Sequence, residues 1–199
     1  RINKFMNNLS DDQERDAVDR ITECMYSLDY LVDVSNYTFS DQKDRITLGK
    51  FYDAWFKKTG STRKVIIPFN PGIFLGYLYV GILYAKENWF DQLPDDRLDA
   101  ADTAWGLNGV TVSAPKKPQP TVKYVVKRIR NSLGHGRPII TIPPGIKPEE
   151  LFTKITFSFH DVNMKNSADT FGLTLTLDRL SKLIKKFQSV IHKFVREKK

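Results

Sequence analysis

The chain has 199 residues, of which 41% are hydrophobic and 12% aromatic, so it is long enough to bury a sizeable core as one globular domain. Its formal net charge of +8 favours an anionic partner, and nucleic acid is the commonest one for a basic domain. The single cysteine, Cys24, excludes an internal disulfide, favours a reducing compartment and is interpreted as a core residue. No Cys/His cluster has zinc-ligand spacing, so we expect no metal and no other cofactor.

The N-terminal residues contain no recognisable secretory signal, although the chain begins with Arg1 rather than Met, which leaves its true start open. The most apolar run, Ile73 to Ala85, is shorter than the ~20 residues that cross a bilayer. We therefore expect a cytoplasmic protein without a membrane partner.

The N-terminal third predicts two amphipathic helices. A capping box at Ser10–Gln13 opens the first, whose apolar residues recur at helical spacing from Ala17 to Val32 and which should end near Asp33. The second covers Ile46 to Lys58, and a strand-like segment at 65–67 follows it.

A third helix is predicted to start at Asn70 as the cap, with Pro71 in the first turn, and to run to about Trp89. It is apolar nearly all round, so we expect it to be buried on most sides, with Gly76 and Gly81 permitting close approach of a neighbour. Its aromatic residues are more typical of a core or a subunit interface than of a platform on which bases stack. These residues are Tyr77, Tyr79, Tyr84 and Trp89.

The middle of the chain predicts a short helix over Asp95 to Trp105, a loop over Gly106 to Pro120, and then an amphipathic helix ending at Gly134. That helix carries an apolar stripe from Val122 to Leu133, and a basic face made of Lys123, Lys127 and Arg130.

After Arg137 the pattern changes to strands. Ile139 to Ile142 is predicted to form one strand. Alternating apolar and polar residues predict two more strands, around Phe157 and Leu173, which a polar loop over 161–169 joins. A long amphipathic helix is predicted to follow them. The predicted fold is mainly α: a helical bundle with a small antiparallel β element before the C-terminal helix. We expect a single domain over 1–199, with a helical core at about 10–137 and the hairpin plus last helix at about 139–197.

Positive charge concentrates in one acid-free stretch. From Thr103 to Pro148 there are eight basic residues and no Asp or Glu, and without them the chain has 31 − 8 = 23 basic residues against 23 acidic ones. This zone predicts a polyanion partner. The residues predicted to contact a nucleic acid here, which is RNA if the resemblance described below holds, are Lys123, Lys127, Arg128 and Arg137.

Within this zone, the hexapeptide Arg130-Asn131-Ser132-Leu133-Gly134-His135 places an arginine, an asparagine and a histidine at one helix end. An arginine offers a fixed fork of donors to a phosphate, and histidine can transfer a proton near neutral pH. The glycines beside His135 leave space for a bulky partner. The alternative interpretation is an exposed arginine and a helix-terminal cation favoured by the helix dipole.

The hexapeptide resembles the signature of the HEPN superfamily, in which Arg, a polar residue and a later His end a late helix of a helical bundle. The segment from Phe157 to Phe171, followed by a helix, looks like the β-containing tail of a plasmid- and mobile-element-associated HEPN branch. The resemblance implies metal-independent RNA cleavage by a homodimer that brings two such motifs into one cleft, in toxin, phage-defence or RNA-processing biology. It assigns phosphate binding to Arg130, orientation to Asn131 and proton transfer to His135.

Two alternatives to a ribonuclease stay open. One is a non-catalytic RNA- or nucleotide-binding HEPN module, and the other is a partner-regulated protein whose basic face docks an acidic protein such as an antitoxin.

Two other features are interpreted as structural. The polar residues of 161–169 lack EF-hand spacing and indicate turn chemistry, and His160 and His192 have no carboxylate or cysteine partner nearby in sequence.

Overall fold

The computed structural model of the protein describes residues 27–41, 46–58, 70–114, 119–136 and 138–197. Backbone contacts divide the chain into two compact units, one ending at Gly76 and the other beginning at Tyr77. Several features of the sequence analysis lie outside the described residues. They are the capping box at 10–13, Cys24, the strand-like segment at 65–67, and three of the eight basic residues of the acid-free stretch, Lys116, Lys117 and Arg137.

The described part of the first unit centres on two helices, α1 (27–38) and α2 (Leu48–Lys58). Tyr30 and Trp55 are buried and meet edge to face, with ring centroids 5.3 Å apart. The partly buried residues around them are Val34, Phe51, Tyr52 and Phe56. The second helix begins at Leu48 rather than Ile46, because the Thr47 hydroxyl caps it by accepting from the Lys50 N–H. The first runs to residue 38, beyond its predicted end near Asp33.

The third helix starts as predicted and contains an unpredicted π-helical segment. The Asn70 side-chain oxygen accepts from the Ile73 N–H at 3.0 Å, so Asn70 caps the helix. The helix comprises α3 (Pro71–Leu78), the π segment (Tyr79–Tyr84) and α4 (Ala85–Trp89).

The prediction that this third helix is buried on most sides was wrong. Its large exposed residues are Tyr77, Tyr79, Val80 and Tyr84. Gly81 does permit a close approach, since an added Cβ would stand 2.9 Å from Cγ2 of Ile184, whereas one at Gly76 would meet no described atom within 4 Å. Only one of the two glycines therefore has the predicted packing role.

A four-stranded antiparallel sheet lies in the second unit, in the order β1-β4-β3-β2. The strands are β1 (Val112–Ser113), β2 (Ile139–Thr141), β3 (Thr156–Asn163) and β4 (Asn166–Thr176). The predicted loop over 161–169 was wrong, because β3 and β4 continue to a tight turn at Met164 and Lys165. The alternation of inward and outward side chains along β3 continues into its polar residues. Asp161 therefore takes the inward position that follows Phe157 and Phe159.

Two long helices complete the second unit: α5 (Val122–Gly134) packs on β3, and α7 (Leu177–Glu197) contacts β4 and the π segment. A short α6 (Leu151–Lys154) precedes β3. The buried core takes its largest members from these elements, including Ile129, Leu133, Phe157, Phe159, Leu180 and Phe187. The described fold is mainly α-helical with a small antiparallel sheet, as predicted, and none of its helices is long and apolar enough to span a bilayer.

The predicted helix over 95–105 was wrong. Only Thr103–Trp105 forms a single 3-10 turn, capped by Asp102, whose carboxylate accepts from the Ala104 N–H. The backbone before it pairs elsewhere: Leu98 donates to the Pro120 carbonyl, and the Asp96 carbonyl accepts from Val122. These bonds use the groups that a helix would need, and they hold the segment against the start of α5.

Candidate active site

The site is built on the last turn of α5, whose ends are both capped. At the N-terminus the Thr121 hydroxyl accepts from the Tyr124 N–H at 3.2 Å. At the C-terminus the backbone N–H of His135 donates to the Asn131 carbonyl, and Gly136, at φ 63°, donates to the Leu133 carbonyl. Because His135 is the C-cap residue, its imidazole projects from the helix end and is exposed.

The two glycines beside His135 have different environments. A Cβ at Gly134 would stand 3.7 Å from Nη1 of Arg130, so a side chain at this position would lie beside the guanidinium. Gly136 adopts a left-handed conformation that ends the helix. The space that the two glycines leave for a partner stays a prediction, and Gly136 also serves the turn.

Arg130 is paired with a carboxylate that is distant in sequence. Its Nε donates to Oε1 of Glu87 on α4 at 2.6 Å, and both side chains are partly exposed. The hydrogen bond from Arg130 is the main reason that the pKa of Glu87 lies below its usual value. Glu87 is therefore ionised at neutral pH, and a phosphate that binds Arg130 must compete with it.

Asn131 is fixed from the opposite side. Its Nδ2 donates to Oδ2 of Asp161 on β3 at 3.2 Å, and Asp161 is only 2% exposed. Using one N–H in this bond leaves the amide oxygen and the second N–H of Asn131 for a ligand. The sheet therefore orients the polar residue of the motif.

The charge of Asp161 is compensated by Arg128, which is 5% exposed. Nε of Arg128 lies 2.8 Å from Oδ2 of Asp161, and its Nη1 donates to Asp169 at 2.9 Å. Nη2 donates to the carbonyls of the same two aspartates. Arg128 was predicted to contact RNA; its guanidinium is buried and faces two carboxylates and two carbonyls, so we do not include it among the proposed RNA contacts.

Ser132 and Leu133, the inner residues of the hexapeptide, attach it to its neighbours. The Ser132 hydroxyl, fully buried, accepts from the backbone N–H of His160 at 3.1 Å. The Leu133 carbonyl accepts from the Tyr79 hydroxyl of the π segment at 3.1 Å. The sheet on one side and the π segment on the other thus determine where Arg130 and His135 are presented.

The other predicted RNA-contacting residues differ in environment. Lys127 is exposed and has no ion-pair partner among the described residues. Lys123 lies over the Phe90 ring, with Nζ 4.9 Å from the centroid, and 3.8 Å from a carboxylate oxygen of Asp91. Arg137 lies outside the described residues.

Sequence reasoning missed Glu87, Tyr79 and Asp161. Only Asp161 had a usable signal, because it continues the inward alternation of β3 and an inward carboxylate requires a buried cation. Glu87 is 43 positions from Arg130, and no local pattern joins them.

The family model HEPN pEK499 p136 matches residues 6–198 of the chain. The chain belongs to this HEPN family. No curated protein and no solved structure is significantly similar to it. The family match spans both units and the β-containing tail, which agrees with the resemblance found in the hexapeptide and in the segment after Phe157.

The HEPN domain therefore presents three motif side chains at one helix end. Arg130, Asn131 and His135 lie within the last two turns of α5, and two of them are held by carboxylates of other elements. Among the described residues, no group of three or more His, Cys, Asp or Glu side chains is arranged to hold a metal ion.

Proposed function

We propose that this HEPN domain is an endoribonuclease that cleaves RNA through its own 2′-OH, without a metal ion. The observation that carries the proposal is the placement of Arg130, Asn131 and His135 at one exposed helix end. A phosphate binder, an orienting amide and a proton-transfer group are the groups that this reaction needs.

In the proposed reaction His135 takes the proton of the 2′-OH, and the resulting oxygen attacks phosphorus. The P–O5′ bond breaks, the O5′ leaving group takes up a proton, and the products are a 2′,3′-cyclic phosphate and a 5′-OH. The guanidinium of Arg130 stabilises the charge that builds on the phosphoryl oxygens, in a bidentate geometry that a lysine cannot reproduce. Asn131, oriented by Asp161, donates to the same phosphate.

Protonation of the leaving oxygen requires a second group. Glu87 is unsuitable, because its hydrogen bond with Arg130 lowers its pKa and keeps it ionised at neutral pH. In a dimer whose two-fold axis passes beside Gly136, the second chain supplies a second His135 and a second Arg130 to the same phosphate. The proposal therefore includes a homodimer with one composite site, the most common closed symmetry for such an arrangement.

The proposed biological setting is a cytoplasmic toxin or phage-defence effector, restrained by an antitoxin or another regulatory protein. Lys123, Lys127 and Arg137 remain the proposed RNA contacts beyond the motif, and the whole chain acts as one HEPN-like domain. A basic face of this kind binds RNA with an affinity that falls steeply with salt.

The pair between Arg130 and Glu87 favours a second candidate, a module that binds RNA or nucleotides without cleaving them. With Glu87 on Nε of Arg130, one donor of the phosphate site is occupied by a carboxylate of the same chain. In that case the basic face binds the ligand and His135 performs no proton transfer.

Cleavage of a single-stranded RNA in the presence of EDTA separates the two candidates. The ribonuclease proposal expects products with 2′,3′-cyclic phosphate ends and no cleavage of the DNA of the same sequence, because DNA lacks the nucleophile. Binding without any cleavage supports the second candidate. Strict dependence on added Mg²⁺ contradicts the proposed chemistry.

A further inference from the structure

An exposed aromatic and basic face lies beside the proposed phosphate site. It is formed by α4 and α5 and the end of the π segment, and we call it the aromatic–basic face. Its members are Tyr84, Lys86, Trp89, Phe90, Lys123, Lys127 and Arg130.

Tyr84 is the outermost ring of this face and is 61% exposed. Trp89 meets it edge on, with centroids 6.3 Å apart and an interplanar angle of 71°. One edge-on neighbour supports the ring and leaves a face of Tyr84 open to a planar ligand. An exposed tyrosine of this kind, held by a second aromatic ring, is suited to stacking with a nucleobase.

Tyr84 is also close to the phosphate site. Glu87 follows it by three positions, so the two side chains lie on the same face of the helix, about 4.5 Å apart along its axis. Glu87 in turn holds Nε of Arg130. A ligand whose phosphate replaces Glu87 on Arg130 therefore brings an adjoining base next to the Tyr84 ring.

Basic residues adjoin the Phe90 ring of this face. The Nζ atoms of Lys86 and Lys123 lie 4.8 and 4.9 Å from the centroid of Phe90, which holds both ammonium groups at this face. With Lys127 and Arg130 there are four basic residues, against the two carboxylates of Glu87 and Asp91. The net charge of these residues is therefore positive next to the proposed phosphate site.

We propose that the aromatic–basic face binds single-stranded RNA, with one base stacked on Tyr84 next to the phosphate held by Arg130. This deepens the proposed function and rests on it for the position of the phosphate. A second copy of the chain is the poorer occupant, because a two-fold contact through the whole of this face brings two net-positive surfaces together. Stacking requires an unpaired base, so the proposal selects single-stranded over double-stranded RNA.

The test uses binding to a short 2′-O-methyl oligouridylate, which cannot be cleaved because its 2′ oxygen carries no proton. The comparison ligand is an abasic phosphodiester of the same length and charge. Stacking of one base is expected to make the wild-type protein bind the oligouridylate about tenfold more tightly than the abasic strand. Tyr84→Phe should keep this preference, and Tyr84→Leu should lose it while still binding the abasic strand as the wild type does.

The matched control is Phe152→Leu, which removes a ring of similar exposure on α6 and should change nothing. Equal affinity of the wild type for both ligands, or an unchanged preference in Tyr84→Leu, overturns the proposal. If Tyr84→Leu instead dissociates a dimer in light scattering and keeps the preference, the face is a subunit interface. None of these readouts requires cleavage, so failure of the ribonuclease proposal is seen separately, when the wild type binds an unmodified oligouridylate and forms no product.

Discussion

Arg130 and Glu87 form an ion pair of 2.6 Å between two helices, and the arginine is the residue proposed to bind the scissile phosphate. The pair keeps the guanidinium extended towards α4 when no RNA is bound. It also places a negative charge where a phosphate must arrive, so a phosphate on Nε of Arg130 and the ion pair exclude each other.

The first prediction follows from that exclusion. Glu87→Gln removes the competing charge and should raise the affinity for a 2′-O-methyl oligonucleotide severalfold, measured by fluorescence anisotropy at low salt. The pKa of Glu87 is lowered by Arg130, so its carboxylate is ionised at any pH above this pKa. The ion pair is lost only when the pH falls through the lowered pKa of Glu87. The affinity of Glu87→Gln divided by that of the wild type should therefore stay constant between about pH 5.5 and 8.

Asp178→Asn, which removes a carboxylate paired with Lys182 on α7, is the control and should not raise the affinity for the oligonucleotide. An unchanged or weaker affinity in Glu87→Gln would show that Glu87 does not compete with RNA.

The second prediction concerns the motif itself. His135→Ala and Arg130→Ala should each reduce cleavage by at least ~10²-fold, the lower range for loss of a positioned proton-transfer group. Arg130→Lys should not fully restore activity, since a point charge lacks the bidentate fork. The melting temperature of each should stay close to wild type, because both residues lie outside the apolar core. His192→Ala, an exposed histidine on α7, is the matched control. Wild-type cleavage by either motif variant would refute the proposed mechanism.

The third prediction separates Arg128 from its basic neighbours. Arg128→Leu leaves the buried Asp161 without its cation and should lower the free energy of unfolding by about 3–5 kcal/mol, the usual effect of breaking a buried ion pair. Lys127→Ala, one position earlier and exposed, should change it by less than about 0.5 kcal/mol. Urea denaturation measures both. If the two variants unfold alike, the ion cluster of Arg128 does not stabilise the fold.

The sequence was sufficient for much of the fold because the relevant signals are local. Asn70 and Pro71 mark a helix start through backbone chemistry within one turn, and the apolar stripe from Leu177 defines α7. The same locality explains the errors. Arg128 resembles its exposed neighbours Lys127 and Arg130 in charge, and what distinguishes it are two aspartates 33 and 41 positions away.

The candidate site divides in the same way. The hexapeptide was recognisable because its chemistry lies within six positions at one helix end. Glu87 and Tyr79 could not be found, because their contacts depend on how the π segment and α4 pack along α5. The exposure of Tyr84 was missed for a related reason: a helix that is apolar all round does not reveal which side its neighbours leave open.

The last prediction concerns assembly. One chain supplies one Arg130 and one His135, and Glu87 cannot donate the second proton because its lowered pKa keeps it ionised. If the leaving oxygen is protonated by His135 of a second chain, each active site needs both copies. The protein should therefore be a dimer in light scattering, and a heterodimer of wild type and His135→Ala should lose far more than half of the cleavage activity. A heterodimer with His192→Ala should keep nearly all of it, which controls for the preparation of mixed dimers. Half activity in the first heterodimer indicates two independent sites, and a monomer that cleaves at the full rate contradicts the composite site.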